Sequence, residues 1–168
     1  MIIIGIDCAT KDEKVGLALD SVGYDKVAIR EVCLGSRNKP AAAITEWLKR
    51  GKPALLALDA PLGWPVALAE ELPRHLAGRS LEACPDNLFS RFTDKAVQKA
   101  IGKKPLEVGA NLIARTAYSA LKLLETLRKE SGLPIPLAWQ WENIVGTSAI
   151  EVYPAATLKA LKIEVKGY

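Results

Sequence analysis

Residues 1–8 read MIIIGIDC: four apolar residues, a glycine, one further isoleucine and then Asp7. The run lacks polar–apolar alternation, so it predicts a strand buried on both faces, at the centre of a sheet. A carboxylate at the end of such a strand is costly unless something pairs with it or uses it. The rest of the chain has to supply that companion.

The segments that follow predict how the central strand is flanked. Residues 11–14 form a polar turn, 15–19 a second strand and 21–25 another turn. Residues 26–34 alternate well enough for a third strand, with Val27, Ile29 and Val32 inward. Three strands joined by short turns make an antiparallel meander. Residues 40–50 then follow helical spacing, with Ile44, Trp47 and Leu48 on one face and Gly51 as the stop. Residues 54–58 are wholly apolar and run into Asp59-Ala60-Pro61. A helix between strands implies a crossover, so this strand is expected parallel to the first.

Residues 66–77 read as helix and 78–90 as loop, and Thr93 or Asp94 caps a short helix ending at Ile101-Gly102. Residues 111–130 form the longest helix, with Ile113, Ala117, Ala120, Leu121, Leu124 and Leu127 as its apolar stripe. Residues 148–153 are a last strand broken by Pro154, and 155–161 begin a final helix. The expected class is α/β, a mixed sheet layered with helices.

Length and composition bound the class. One hundred and sixty-eight residues suit one compact domain, and 49% hydrophobic with 25% charged residues is ordinary globular usage. Lys and Arg outnumber Asp and Glu by 23 to 19, a net charge of +4. That excess permits a nucleic-acid partner without demanding one. The three cysteines are odd in number and show no C-x-x-C spacing, which argues against a disulfide framework or zinc site and points to a reducing cytoplasm. No signal segment and no membrane-spanning run is expected.

Three strands stop in the same way, apolar residues running into one acid: IIIGIDC at Asp7, ALLALDAP at Asp59 and SAIEVYP at Glu151. In open α/β sheets, sites form beyond the carboxyl ends of strands. If the first, fourth and fifth strands are parallel neighbours, the three carboxylates converge at one sheet edge. Like charges that close raise one another's pKa unless a cation sits among them. Oxygen-only ligands favour Mg²⁺ or Mn²⁺ over Zn²⁺. Each acid also has an ordinary explanation: Asp-Ala-Pro opens turns, and Glu151 suits a solvated edge.

The hairpin G-I-D-C-A-T…V-G-L-A-L-D resembles the first hairpin of ribonuclease H-like proteins, including Holliday-junction resolvases. More closely, L-A-L-D-A-P-L-G-W-P, S-R-F-T-D and I-E-V-Y-P-A-A-T-L-K-A-L resemble motifs of the family labelled domain of unknown function 429, predicted nucleases of the ribonuclease H fold. The resemblance implies one ribonuclease H-like domain over 1–168, with strand order 3-2-1-4-5 flanked by helices. It implies Asp7, Asp59 and Glu151 as ligands of Mg²⁺ or Mn²⁺, with Arg91 and Asp94 in the same cleft. Arg91 would grip a phosphate oxygen, and Asp94 would orient it or join the metal shell; the plain alternative is an i, i+3 surface pair. There is a departure: such nucleases commonly take another acid from the final helix, and residues 155–161 offer none, Glu164 lying beyond. The chain also ends at residues 166–168, earlier than the resemblance leads one to expect, and whether a C-terminal segment of the family pattern is missing is left open.

Arg91, Lys95 and Lys99 fall at i, i+4 and i+8, a basic stripe that would track a phosphate backbone or simply face solvent. Trp64, Trp139 and Trp141 could stack bases or pack in the core. His75 reads as surface, and Cys8 and Cys84 as buried small hydrophobes. The leading expectation is a metal-dependent nuclease acting on DNA or RNA in the cytoplasm. Two others stand beside it: an actin-like nucleotide-binding domain, which normally needs two such domains, and a non-catalytic binding domain that kept the fold. Homodimerisation is left open.

Overall fold

A computed structural model describes residues 1–22, 27–51, 53–140, 142 and 144–163, with Val27 described by its backbone alone. Residues 23–25 of the turn expected over 21–25, Lys26, Trp141, Glu164 and residues 166–168 lie outside the described residues, while Ser21 and Val22, expected in that turn, extend the second strand. Two compact units emerge. The first comprises Met1–Ala60 and Tyr118–Val152; the second comprises Pro61–Ala117 and the chain from Tyr153 onward.

The first unit is built on a five-stranded sheet of order β3-β2-β1-β4-β5. Its strands are β1 (Ile2–Asp7), β2 (Gly16–Val22), β3 (Val27–Leu34), β4 (Ala54–Leu58) and β5 (Thr147–Glu151). β1 pairs antiparallel with β2 and parallel with β4, β2 pairs antiparallel with β3, and β4 pairs parallel with β5. The expected mixed sheet, its order and its central strand are all present, consistent with a ribonuclease H-like arrangement.

Register explains the core. Ile4 stands opposite Leu19 and Leu56, and Ile6 opposite Leu17 and Leu58, so one face of three strands is aliphatic and buried. Each fully buried leucine or isoleucine contributes about 1.5–3 kcal/mol from removal of its surface from water. The other face carries Gly5, Ala18 and Ala57, half-buried. β1 is therefore central, but only one of its faces is fully buried.

Helix α1 (Pro40–Leu48) starts at a proline, whose missing N–H and fixed φ suit a first helical turn. It buries Ile44, Trp47 and Leu48 as the spacing predicts. Trp47 Nε1 donates to Glu31 Oε2 at 3.0 Å, and Arg50 pairs with the same carboxylate, tying the helix to β3. These two donors lower the Glu31 pKa, Arg50 first.

β3 departs from expectation. Ile29 and Val32, predicted inward, are each 71% exposed. β3 is the outermost strand, and a bulge inserts Arg30 between the pairs Glu31–Leu19 and Ile29–Asp20. The extra residue shifts the alternation, so Ile29 and Val32 both lie on the face opposite the buried Leu17 and Leu19.

The second unit is helical. Residues 66–77 split into α2 (Val66–Glu71) and a 3₁₀ turn over Leu72–Arg74, because Pro73 cannot continue the hydrogen-bond ladder. The segment 78–90, predicted as loop, contains α3 (Pro85–Phe89), started by a proline. Next comes α4 (Phe92–Ile101), closed by Gly102 in the left-handed conformation that glycine adopts without a Cβ penalty. α5 (Asn111–Ser131) passes from this unit into the first, and α6 (Pro154–Ala160) follows β5. Lys159 of α6 donates to the Gly102 carbonyl at 2.9 Å.

Along α5, Ala117, Ala120, Leu124 and Leu127 are buried, as the stripe predicts. After it, Ile135 is fully buried with φ +38, a conformation β-branched residues rarely adopt. Arg128 holds the Ile135 carbonyl through Nη2 at 2.8 Å, while the Pro136 carbonyl accepts from Ala149 of β5. No described helix is long and apolar enough to cross a membrane.

Candidate functional site

The acids at the strand ends are set by register. Ile6 pairs with Leu58 and Leu58 with Glu151. Asp59 N donates to the Ile6 carbonyl at 2.9 Å and Val152 N to the Leu58 carbonyl at 2.8 Å, so β1, β4 and β5 end level. Asp7 and Asp59 each lie one residue past the Ile6–Leu58 pair. Side chains alternate along a strand, which puts both carboxylates on the small-residue face, on adjacent parallel strands. Glu151 is level with Leu58 and belongs by alternation to the other face.

The electrostatics follow this arrangement. The Asp59 carboxyl is raised above its ordinary value by burial first, then by the charge of Asp7, then by that of Glu151. All three acids therefore share one field, with Asp7 the stronger neighbour. Among the described residues, no hydrogen bond or ion pair reaches the carboxylate of Asp7 or Asp59. Among the same residues, no three His, Cys, Asp or Glu side chains form a ready-made metal-holding group. What the fold brings together is a carboxylate pair with a third acid in electrostatic reach.

Two neighbours of the pair carry no signal in a simple motif reading. Gly16 faces Asp7 across the β1–β2 ladder, and a Cβ there would lie 3.3 Å from Asp7 Cβ and 3.6 Å from Oδ2. Glycine thus keeps the flank of the Asp7 carboxylate open. Counting the hairpin register outward from the turn would have found it. Cys8 is pushed up to about 12 by burial, then by the charges of Asp59 and Asp7. Its thiol stays protonated at neutral pH and is a poor nucleophile or soft ligand.

Arg91 and Asp94 lie in the second unit. Arg91 is the N-cap of α4, and its backbone N–H donates to Asp94 Oδ2 at 2.9 Å. Its guanidinium forks onto the same carboxylate, Nε to Oδ2 at 3.1 Å and Nη2 to Oδ1 at 2.6 Å. The side chains are only 10% and 6% exposed, so the plain surface-pair reading does not hold. Asp94 takes three donations from Arg91 and fixes its guanidinium plane, the orienting arrangement rather than a loose pair.

Of the basic stripe, Lys95 and Lys99 are exposed on α4, and Lys95 Nζ donates to Asn87 Oδ1 at 2.8 Å. Trp64 and Trp139 are exposed, Trp139 at 80%, so neither is a core residue. His75 is exposed as expected, whereas Cys84, expected buried, is exposed in the segment before α3.

A family model described as "Protein of unknown function (DUF429)" matches residues 5–168, nearly the whole chain, and the chain belongs to that family. No curated protein and no solved structure matches it.

Proposed function

We propose that the protein is a metal-dependent phosphodiesterase, a nuclease acting on a DNA or RNA backbone in the cytoplasm. The observation that carries this reading is the adjacent Asp7–Asp59 pair, held level by backbone hydrogen bonds and without a donor among the described residues. Such a pair repels itself unless a cation joins it. Two carboxylates fit Mg²⁺ or Mn²⁺ well, since Mg²⁺ is usually held by one or two carboxylates and completes its shell with water and substrate phosphate.

Asp7 and Asp59 would hold the ion and Glu151 would add the third acidic group. A bound ion of this kind lowers the pKa of water and stabilises charge on a leaving oxygen. The remaining work falls to the chain. Glu151, level with Leu58 at the end of β5 and in the field of Asp59, would add negative charge at the edge of the site. Arg91, aligned by Asp94, presents a planar guanidinium to phosphate oxygens, which lysine does less well. Lys95 and Lys99 neutralise backbone phosphates. Trp64 and Trp139 offer exposed faces on which bases stack.

The test is cleavage of single- and double-stranded DNA, RNA, hybrid and branched substrates by purified protein with Mn²⁺ or Mg²⁺. Activity lost by at least 100-fold in both Asp7→Asn and Asp59→Asn, with the fold intact, supports the reading. No cleavage of any substrate with either metal removes it. A non-catalytic binding domain is the second reading, favoured by the lack of a three-ligand group among the described residues. It expects unchanged nucleic-acid binding in Asp7→Asn and no thermal stabilisation by Mn²⁺.

A further inference from the structure

Strand β3 ends the sheet, and its outer side pairs with no strand among the described residues. An edge strand presents a row of unpaired N–H and C=O groups, which proteins usually shorten, cover or charge. This one is eight residues long, with Ile29, Val32 and Leu34 exposed at 71%, 71% and 55%. Helix α1 does not close over it. A cleft of about 600 Å³ runs between Arg30–Cys33 of the strand and Ala42, Ala43 and Glu46 of the helix.

The strand sequence is complementary to itself when reversed. Val27-Ala28-Ile29-Arg30-Glu31-Val32-Cys33-Leu34, laid antiparallel on a second copy about a two-fold axis between Arg30 and Glu31, pairs Val27 with Leu34, Ala28 with Cys33, Ile29 with Val32 and Arg30 with Glu31. Every apolar residue meets an apolar one, and Arg30 meets Glu31, whose carboxylate Trp47 and Arg50 of its own chain hold in place at the edge. A shift of the centre by one residue either way sets Arg30 against Ile29 or Cys33 instead. Charges that ordinarily blunt an edge here select one register.

The bulge supplies an independent argument. In a regular strand, a two-fold axis normal to the sheet and centred between residues would demand that Ile29 and Val32 share a face, which alternation forbids. The inserted Arg30 removes the conflict: Ile29 stands opposite Asp20 and Val32 opposite Ala18, two residues of β2 on one face. The same shift matches Ala28 with Cys33 on the opposite face.

We propose that the chain forms a two-fold symmetric homodimer through antiparallel β3–β3 pairing, giving one continuous ten-stranded sheet. This is an isologous contact of the commonest oligomer type. It is independent of the chemistry assigned to the acid pair.

The experiment is sedimentation velocity on the full chain from 1 to 200 µM. The expected species has twice the chain mass, and Arg30→Glu and Val32→Lys each weaken association at least tenfold. Both positions are exposed, and the Arg30 side chain donates to Ser21 Oγ at 2.7 Å on the surface, so folding survives either change. Register is read separately: Ala28→Cys, oxidised with glutathione disulfide, forms a cross-link to Cys33 of the second copy, and Ala28→Cys/Cys33→Ser does not. A wild-type monomer at 200 µM overturns the proposal. So does association unchanged in both charge variants, or a cross-link that forms without Cys33.

Discussion

Replacing Asp59 by asparagine keeps the shape of the side chain and removes its charge, so it isolates the repulsion at the strand ends. The Asp59 carboxyl has an ordinary value of 3.8, and the fold raises it through burial, Asp7 and Glu151 in that order. Over the pH window starting near 3.8, the native state therefore holds more protons than the unfolded chain. Stability falls as pH rises through that window, and the full penalty is present at pH 7. Asp59 is only half-buried, so solvent screens much of the repulsion, and an exposed-pair magnitude of about 0.5–1 kcal/mol is appropriate. For a chain of this length, that is a rise in Tm of about 1–4 °C for Asp59→Asn at pH 7. Differential scanning calorimetry of wild type and variant at pH 3 and pH 7 measures it. The gain should vanish at pH 3, where both carry a neutral group, and shrink in high salt. A stability difference between variant and wild type that is the same at pH 7 as at pH 3 refutes the reasoning, because ionisation of Asp59 would then cost nothing, and a variant that loses more at pH 7 than at pH 3 refutes it too, because the carboxylate would then be making a favourable interaction.

Metal binding should act in the opposite sense: Mn²⁺ at 100 times its Kd raises wild-type stability by about 2.7 kcal/mol, and Asp59→Asn loses most of that increment in the same calorimeter. Thr147 Oγ1 is buried and has no hydrogen-bond partner among the described residues, so the near-isosteric Thr147→Val should raise stability by about 1–3 kcal/mol in urea unfolding. Arg128→Ala removes the donors from the Pro134 and Ile135 carbonyls and should destabilise by about 1–3 kcal/mol, with hydrogen exchange quickening over residues 133–138. Leu56 is fully buried at the sheet centre, and Leu56→Ala should lower stability by about 2–5 kcal/mol by the same unfolding assay.

How far the sequence reaches depends on whether a signal is local. β4 is wholly apolar and flanked by Pro53 and Asp59, and its bounds are those predicted, Ala54–Leu58. The central place of β1 follows from its lack of alternation, and the α1 and α5 faces from helical spacing. β3 misled because alternation reports which residues share a face, and the bulge at Arg30 breaks that count without leaving a mark in composition. α3 was missed because five residues are too few for a periodic signal, although Pro85 was a start signal in plain view. The paired acids were legible as strand-terminal motifs. Their sharing of one face was not, because it depends on the Ile6–Leu58 register, a non-local property.

That register also bears on why the acids are present. A carboxylate kept only to cap or open a turn would be served as well by asparagine, which tolerates the same conformations and adds no charge. Instead, Asp59 is placed beside Asp7 and in the field of Glu151, partly desolvated, where its charge opposes folding. Gly16 leaves the flank of Asp7 unobstructed, although glycine weakens a strand interior. Two local choices thus work against stability at the same sheet edge. Natural sequences concentrate such violations where function requires them, and a need for clustered negative oxygen is what the proposed cation site would impose. The cation reading accounts for both choices together, and the binding-domain reading accounts for neither.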